Sequence, residues 1–153
     1  MVGHATNLKR VFTLSDAIAI ATSAHDGQVD KSGRPYIGHP LRVMKSVEGE
    51  HAQMAAVLHD VIEDTPVTAA DLTARGCPSN VVDAVVALSH LPGEPQEDYL
   101  RRVAANPLAV TVKRADIADN LSPARMARLD DATRARLEIK YATALRLLDQ
   151  FVS

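Results

Sequence analysis

Ala55-Ala-Val-Leu-His-Asp-Val-Ile-Glu-Asp-Thr65 sets four side chains able to bind a metal or carry a proton into an otherwise apolar run. At roughly 100° per helical residue, His59, Asp60, Glu63 and Asp64 fall within an arc of roughly 140°, with Ala55, Leu58, Val61 and Ile62 opposite. One face is expected to be core and the other chemistry. His59 with Glu63, and Asp60 with Asp64, stand four residues apart, so their heads converge one turn along. Acids so close repel one another unless a cation or a shared proton relieves them, and a divalent metal is the simplest relief. A polar helix end closed by Thr65-Pro66 is the other way to read the stretch.

Outward from it, the chain alternates apolar helical periods with caps and breakers. Residues 1–12 show no period and are expected to be a lead-in, with His4 on the surface. Thr13 with Asp16 resembles a capping box for a helix ending near His25, and a polar loop with two glycines runs from Asp26 to Pro35. Pro40 is expected at the first helical position of the next helix, with His39 at its mouth, and a continuous helix is expected over 51–64. Thr68 with Asp71 caps a short helix closing at Gly76, Pro78 and Pro95 open two more, and Asn106-Pro107 starts a segment to Leu121 that is apolar on several sides. That segment is expected to be central. Ser122-Pro123 starts a short helix, and Asp131 or Thr133 caps the last, whose apolar face reads Leu137, Ile139, Tyr141, Leu145 and Leu148.

Length and composition narrow the class. A chain of 153 residues is expected to form a single domain, and its Ala, Leu and Val content with 3% aromatics favours an all-α bundle of about eight helices. A net charge of −2 with scattered Lys and Arg argues against a nucleic-acid partner. The single cysteine, Cys77, is read as a small buried residue in a reducing compartment. With no signal-like run and no apolar stretch near the ~20 residues of a membrane span, a cytoplasmic location without a membrane partner is expected. The pattern carries no oligomeric signal.

Within 107–121, Lys113, Asp116 and Asn120 lie on one stripe of one helix. A buried carboxylate needs a partner: Lys113 could simply pair with Asp116, or the stripe could face an acidic metal site and a phosphorylated ligand. His39, His59, Asp60 and Asp116 together offer two imidazoles and two carboxylates, a mixed set that suits Mn, Fe(II) or Zn in hydrolysis. The absence of cysteine ligands argues against a closed structural zinc.

The order His39, His59-Asp60, Asp116 resembles the HD superfamily of metal-dependent phosphohydrolases. Three stretches narrow the resemblance to the hydrolase domain of the RelA/SpoT alarmone enzymes and their stand-alone small alarmone hydrolases. They are Ala24-His-Asp-Gly-Gln28 with Ser32 to Pro40, then Ala55 to Thr65, then Val112 to Asn120, so the motif-bearing part is 14–122, with packing helices over 123–151. The resemblance implies an all-helical HD-domain fold over 1–153 and Mn(II)-dependent removal of the 3′-pyrophosphate from guanosine tetra- or pentaphosphate. It further implies His39, His59, Asp60 and Asp116 as metal ligands and Glu63 with Asp64 as the acid/base pair. Lys113 and Asn120 would steady the guanine nucleotide, and Lys31, Arg34, Arg42 and Lys45 could meet phosphate oxygens.

Three positions depart from that family's pattern. Most relatives carry an arginine that packs on the base where this chain has Asp30, and a threonine-like residue where it has Pro123. Asp119 replaces a larger side chain and is expected to add an acid near the ribose. Two alternatives therefore stand beside alarmone hydrolysis: an HD phosphohydrolase for another nucleotide, such as a phosphorylated adenine dinucleotide, and a nucleotide-sensing module without turnover. His25 is read either as part of the site or as a helix-end residue, and His51 and His90 as surface or helix-terminal.

Overall fold

Several of the helices follow from a local capping signal. The computed structural model describes residues 11–153, so His4 and most of the lead-in lie outside the described residues. Phe12 is buried at 8% exposure, so the core begins before the first helix. Helix α1 spans Leu14–Ala24, and Thr13 and Asp16 exchange both capping bonds, the Thr13 N–H donating to Asp16 Oδ2 at 2.8 Å. Helix α2 is Gly38–Lys45, α3 Glu50–Leu58, α4 the single turn Val61–Asp64, and α5 Ala69–Ala74, capped by Thr68 and Asp71. Helices α6 Ser79–Leu88 and α7 Gln96–Ala104 follow Pro78 and Pro95. Helix α8, Pro107–Asn120, starts under an Asn106 cap, and α9, Pro123–Met126, under Ser122. Helix α10 is Asp131–Val152.

Four expectations need correction. Pro40 is the third residue of α2 rather than the first; the first turn carries unpaired N–H groups anyway, so its missing donor is tolerated there. The last helix is capped by Asp130, whose Oδ1 accepts the Thr133 N–H at 2.7 Å. Ile139 is 70% exposed, because Leu137, Ala144 and Leu148 set the buried face of α10. The helix expected over 51–64 breaks at His59 and Asp60. There the His59 Nδ1 bonds the Ala56 carbonyl at 2.6 Å, while its own N–H reaches that carbonyl only at 3.4 Å, and a side chain inserted into the ladder ends the helix.

The centre is shared. In α3, Ala52 and every residue from Met54 to Leu58 are buried, and the helix packs on α1, α2, α6 and α8. Helix α8 touches α2, α3, α6, α7, α9 and α10, burying Ala109, Val112, Asp116 and Ile117. Small residues over the middle of α3 let the neighbouring backbones close in, which brings the end of α3 against α8. The loop after α1 is a tight hairpin, with Val29 bridged to Pro35 and the Tyr36 N–H donating to the Gln28 carbonyl at 2.8 Å. Gly33 supplies the positive φ, 83°, that turns it.

Candidate metal centre and cavity

Three helices deliver the cluster. The early turn of α2 brings His39, the break after α3 brings His59 and Asp60, and the middle of α8 brings Asp116. His39 and His59 are 3% and 2% exposed, and Asp116 is 7%. Asp116 Oδ1 lies 2.7 Å from His39 Nε2 and 3.2 Å from His59 Nε2, and Asp60 Oδ2 lies 3.1 Å from His59 Nε2. Potential ligand atoms of His39, His59 and Asp60 lie within 4.8 Å of one another. The break at His59 falls between them: Asp60, with φ −103° and ψ 0°, leaves the helical path, and its Oδ2 lies 3.1 Å from His59 Nε2, although consecutive residues of a continuous helix point roughly 100° apart.

The donor chemistry fits a divalent cation. On His59, Nδ1 faces the Ala56 carbonyl, which can only accept, so Nδ1 carries the hydrogen and Nε2 is the atom turned to the cluster. His39 likewise turns Nε2 inward and Nδ1 outward, to Asp119. Burial works against charge on both imidazoles, but Asp116 and Asp119 at His39, and Asp60 and Asp116 at His59, draw their pKa upward, most strongly at His59. Burial would raise the Asp116 carboxyl; Lys113, His59 and His39 overcome it and hold that carboxyl well below the usual range. Asp60 is also lowered, by His59 against its own burial. The Tyr36 hydroxyl donates to Asp60, and burial beside that carboxylate pushes the phenol strongly upward. The cluster therefore calls for positive charge at its centre, which protons or one divalent ion can supply.

The cluster opens onto a cavity of about 610 Å³. Glu63 and Asp64 share its wall. Glu63 Oε1 accepts the His90 N–H at 2.7 Å, which fixes that carboxylate across the cavity mouth. Burial, then the charges of Asp60 and Glu63, push the Asp64 carboxyl up to about 6, against a smaller pull from His59 and Gln28. Lys31, Lys113 and Asn120 also line the cavity, whereas Arg34, Arg42 and Lys45 are not among its lining residues. Lys113 pairs with Asp116 Oδ2 at 3.2 Å and lies 5.2 Å from the centre of the Tyr99 ring, so the structural pairing and the cavity position coexist. Asn120 donates to Asp116 Oδ1 at 3.3 Å and accepts from Arg125 at 2.6 Å.

Other placements differ from the sequence reading. Asp119 does not line the cavity; it stands behind His39, its Oδ2 2.7 Å from Nδ1. Asp30 accepts from the Ser32 N–H and hydroxyl, both at 2.9 Å, and from the Arg34 N–H at 3.0 Å, so its carboxylate is occupied in building the hairpin. His25 is buried and bonds Gln28 Oε1 through Nδ1 at 2.8 Å, which joins the helix-end position to a cavity residue. His90 lines the cavity and packs edge-on to Tyr99, with ring centres 4.9 Å apart, instead of facing solvent alone. His51 is exposed and bonds Asn80. Cys77 is buried, and burial pushes its thiol up to about 11, which suits an inert packing role. Arg125, Lys140 and Tyr141 also stand on the cavity wall, and sequence reasoning missed them there. Arg125 lies beyond the Ser122-Pro123 break, and the other two sit on a helix whose amphipathic pattern reads as packing; no local signal marks them.

No protein-family model matches the chain. Among curated proteins, the chain is 45% identical over 78 aligned residues to the guanosine-3′,5′-bis(diphosphate) 3′-pyrophosphohydrolase of Haemophilus influenzae, covering 47% of this chain and 12% of that one. The protein of the same description from Vibrio cholerae is 32% identical over 155 residues, 90% of this chain and 22% of its own length. The bifunctional (p)ppGpp synthase/hydrolase SpoT of Escherichia coli is 46% identical over 63 residues, 39% of this chain and 9% of that one. The chain thus spans at most 22% of the length of these three relatives. Among solved structures, a metazoan orthologue of SpoT described as hydrolysing ppGpp shares the fold with a TM-score of 0.75 and 21% identity, over 92% of this chain and 88% of that one.

Proposed function

This chain belongs with the RelA/SpoT-type hydrolase domains in sequence and fold, and from that premise we propose that it removes the 3′-pyrophosphate of guanosine tetra- or pentaphosphate, leaving GDP or GTP. The observation that carries the reading is the convergence of His39 Nε2, His59 Nε2 and Asp116 Oδ1 beside Glu63 and Asp64 on one cavity wall. His39, His59, Asp60 and Asp116 would hold a divalent cation, Mn(II) being our choice for an imidazole and carboxylate set. When bound, such a cation stabilises charge on phosphate oxygens and lowers the pKa of a water.

The chain's own groups do the rest. Asp64, whose carboxyl is pushed upward by burial and by the charges of Asp60 and Glu63, accepts the proton of the attacking water; a base raised above the usual carboxylate range is favoured for that task. Glu63, fixed by the His90 N–H, faces the departing ribose oxygen and assists its protonation. Lys31 and Lys113 meet the phosphates, Asn120 steadies the nucleotide, and Lys140 adds charge from α10. The Tyr36 hydroxyl keeps Asp60 turned toward His59. We place the whole chain in one hydrolase domain that works in the cytoplasm without a nucleic-acid or membrane partner; no described helix is long and apolar enough to cross a membrane.

Product analysis tests this. Protein loaded with Mn(II) should convert guanosine tetraphosphate to GDP and pyrophosphate, and chelation should stop it; metal-loaded protein that leaves the nucleotide intact overturns the reading. Asp30 favours a second reading, because its carboxylate is committed to the hairpin and brings no arginine to a base. In that case a different nucleotide, such as a phosphorylated adenine dinucleotide, is hydrolysed faster in a side-by-side panel. A site that binds nucleotide without turnover under any divalent metal would reveal a sensing module instead.

A further inference from the structure

His39 is gripped at both ring nitrogens by two aspartates one turn apart on α8: Asp116 Oδ1 lies 2.7 Å from Nε2 and Asp119 Oδ2 lies 2.7 Å from Nδ1. We propose that Asp119 is a positioning residue for the metal: it fixes the His39 ring with hydrogen on Nδ1 and the Nε2 lone pair aimed at the cation. The proposal rests on the metal reading above and adds to it a residue on the far side of the ligand.

The arrangement around Asp119 is built for a fixed carboxylate. Arg42, one turn after His39 on α2, donates from Nε to Asp119 Oδ1 at 2.9 Å. Arg125, from α9, donates to Asp119 Oδ2 at 3.2 Å and to Asn120 Oδ1 at 2.6 Å. The Asp119 side chain is 13% exposed and the His39 side chain 3%, so little water competes. Arg125 Nη1 also comes within 3.0 Å of His39 Nδ1, but a guanidinium can only donate. A hydrogen on Nδ1 satisfies the shorter carboxylate contact, and Arg125 keeps its own acceptors in Asp119 and Asn120, so the Nδ1–H form is the consistent one. Two guanidinium donors, Arg42 on Oδ1 and Arg125 on Oδ2, hold Asp119 in place as an acceptor for the Nδ1–H.

His59 shows the contrast. Its Nδ1–H is taken by a backbone carbonyl, Ala56, which no substitution of a side chain removes. The outward nitrogen of His39 depends on a side chain, Asp119. A carboxylate bonded behind a ligating imidazole fixes its tautomer and raises its basicity, and losing such a partner weakens metal binding by about 10–100-fold. When Asp116 turns its oxygen to the cation, Asp119 is the contact that still orients the His39 ring.

Calorimetric titration of the full chain with Mn(II) tests the assignment. D119N should bind Mn(II) about 10–100-fold more weakly than wild type, and R42Q, which removes one brace of Asp119, should weaken it by a smaller factor. D149N, exposed on α10, should match wild type. Histidine nitrogen NMR on the Zn(II)-loaded protein supplies a readout that general loosening would not move: the wild type should show a hydrogen-bonded Nδ1–H on His39, lost or displaced in D119N, with the His59 signal retained. If D119N does not fold, R42Q carries the test by the same two readouts. Unchanged Mn(II) affinity and an unchanged His39 signal in the folded variants would overturn this proposal alone; wild-type protein that takes up no divalent cation would overturn the metal reading as well.

Discussion

Two polar clusters of this molecule, one on Arg102 and Glu94 and one around His39 and His59, are built on opposite principles. Arg102 meets Glu94 with two bonds of 2.8 Å and the Ser89 carbonyl at 2.9 Å, one cation answering one carboxylate. The Arg102 guanidinium holds the Glu94 carboxyl down to about 2, over a smaller opposing effect of burial. Around His39 and His59, the carboxylates of Asp60 and Asp116 instead point at the same small space, and Asp64 stands close enough to be raised by Asp60. The first cluster is closed: cation and carboxylate satisfy each other within the chain. The second directs the carboxylates of Asp60 and Asp116 at a shared centre between two imidazoles, the arrangement on which the proposed metal site rests.

Asp116→Ala is the hardest blow to that contrast. It should abolish Mn(II) binding and reduce turnover of guanosine tetraphosphate by at least about 10³-fold, as expected when the metal's Lewis-acid contribution is removed. It should also lower the stability of the metal-free protein by about 3 kcal/mol, since Lys113 loses the partner of a buried pair. Chemical denaturation and calorimetry read both effects. An alanine variant that still binds metal would take Asp116 out of the ligand set and leave it as the structural partner of Lys113.

Glu63→Gln and Asp64→Asn come next. Each should lower kcat by about 10²–10⁴-fold and leave Mn(II) affinity close to wild type, which separates proton movement from metal binding. The pH profile sharpens the assignment of Asp64. As a proton acceptor it must be ionised, so the rate should rise with pH to a plateau. A cation held by Asp60 removes part of the repulsion that raises Asp64, so the limb should lie below the metal-free value of about 6, and Asp64→Asn should erase it.

Asp64 also bears on stability. Its folded pKa, about 6, lies above its ordinary value of 3.8, so the folded state holds the extra proton between those values. The contribution of this carboxyl to stability is therefore present at low pH and lost as pH rises through that window. Asp64→Asn should raise the melting temperature of metal-free protein at pH 7 while depressing activity. A variant less stable than wild type at that pH would place the strain elsewhere.

Arg102→Ala is the smallest expected change. Removing the brace should lower Tm by about 2–4 °C and reduce kcat only a few-fold, through loosening of the turn whose His90 N–H holds Glu63. Mn(II) affinity should not move. A large loss of metal binding in this variant would join the two clusters into one network.

Much of the helical framework was legible locally. Thr13, Thr68 and Ser122 each cap the helix that their spacing predicts, because a capping bond joins residues only two or three apart. The break at His59 was not legible, since it depends on a histidine side chain taking a carbonyl that the helix would otherwise use. Asp119 shows the same limit: its sequence neighbours place it beside the site, and only the packing of α2 on α8 turns it behind His39. Arg125 and Tyr141 reach the cavity from helices whose own patterns speak only of capping and packing.

By itself, the sequence determined where most of the helices start, most of their apolar faces, and that two histidines and several carboxylates of the right chemical kinds are present. Those properties arise from helical period, capping bonds and side-chain chemistry, all of which act over a few residues. Only the tertiary structure decided that His39 and Asp116, 77 positions apart, touch at 2.7 Å, and that Asp119 serves the far nitrogen of the same ring. Atomic contacts of that kind depend on how closely α2, α3 and α8 pack, and packing is a property of the whole core.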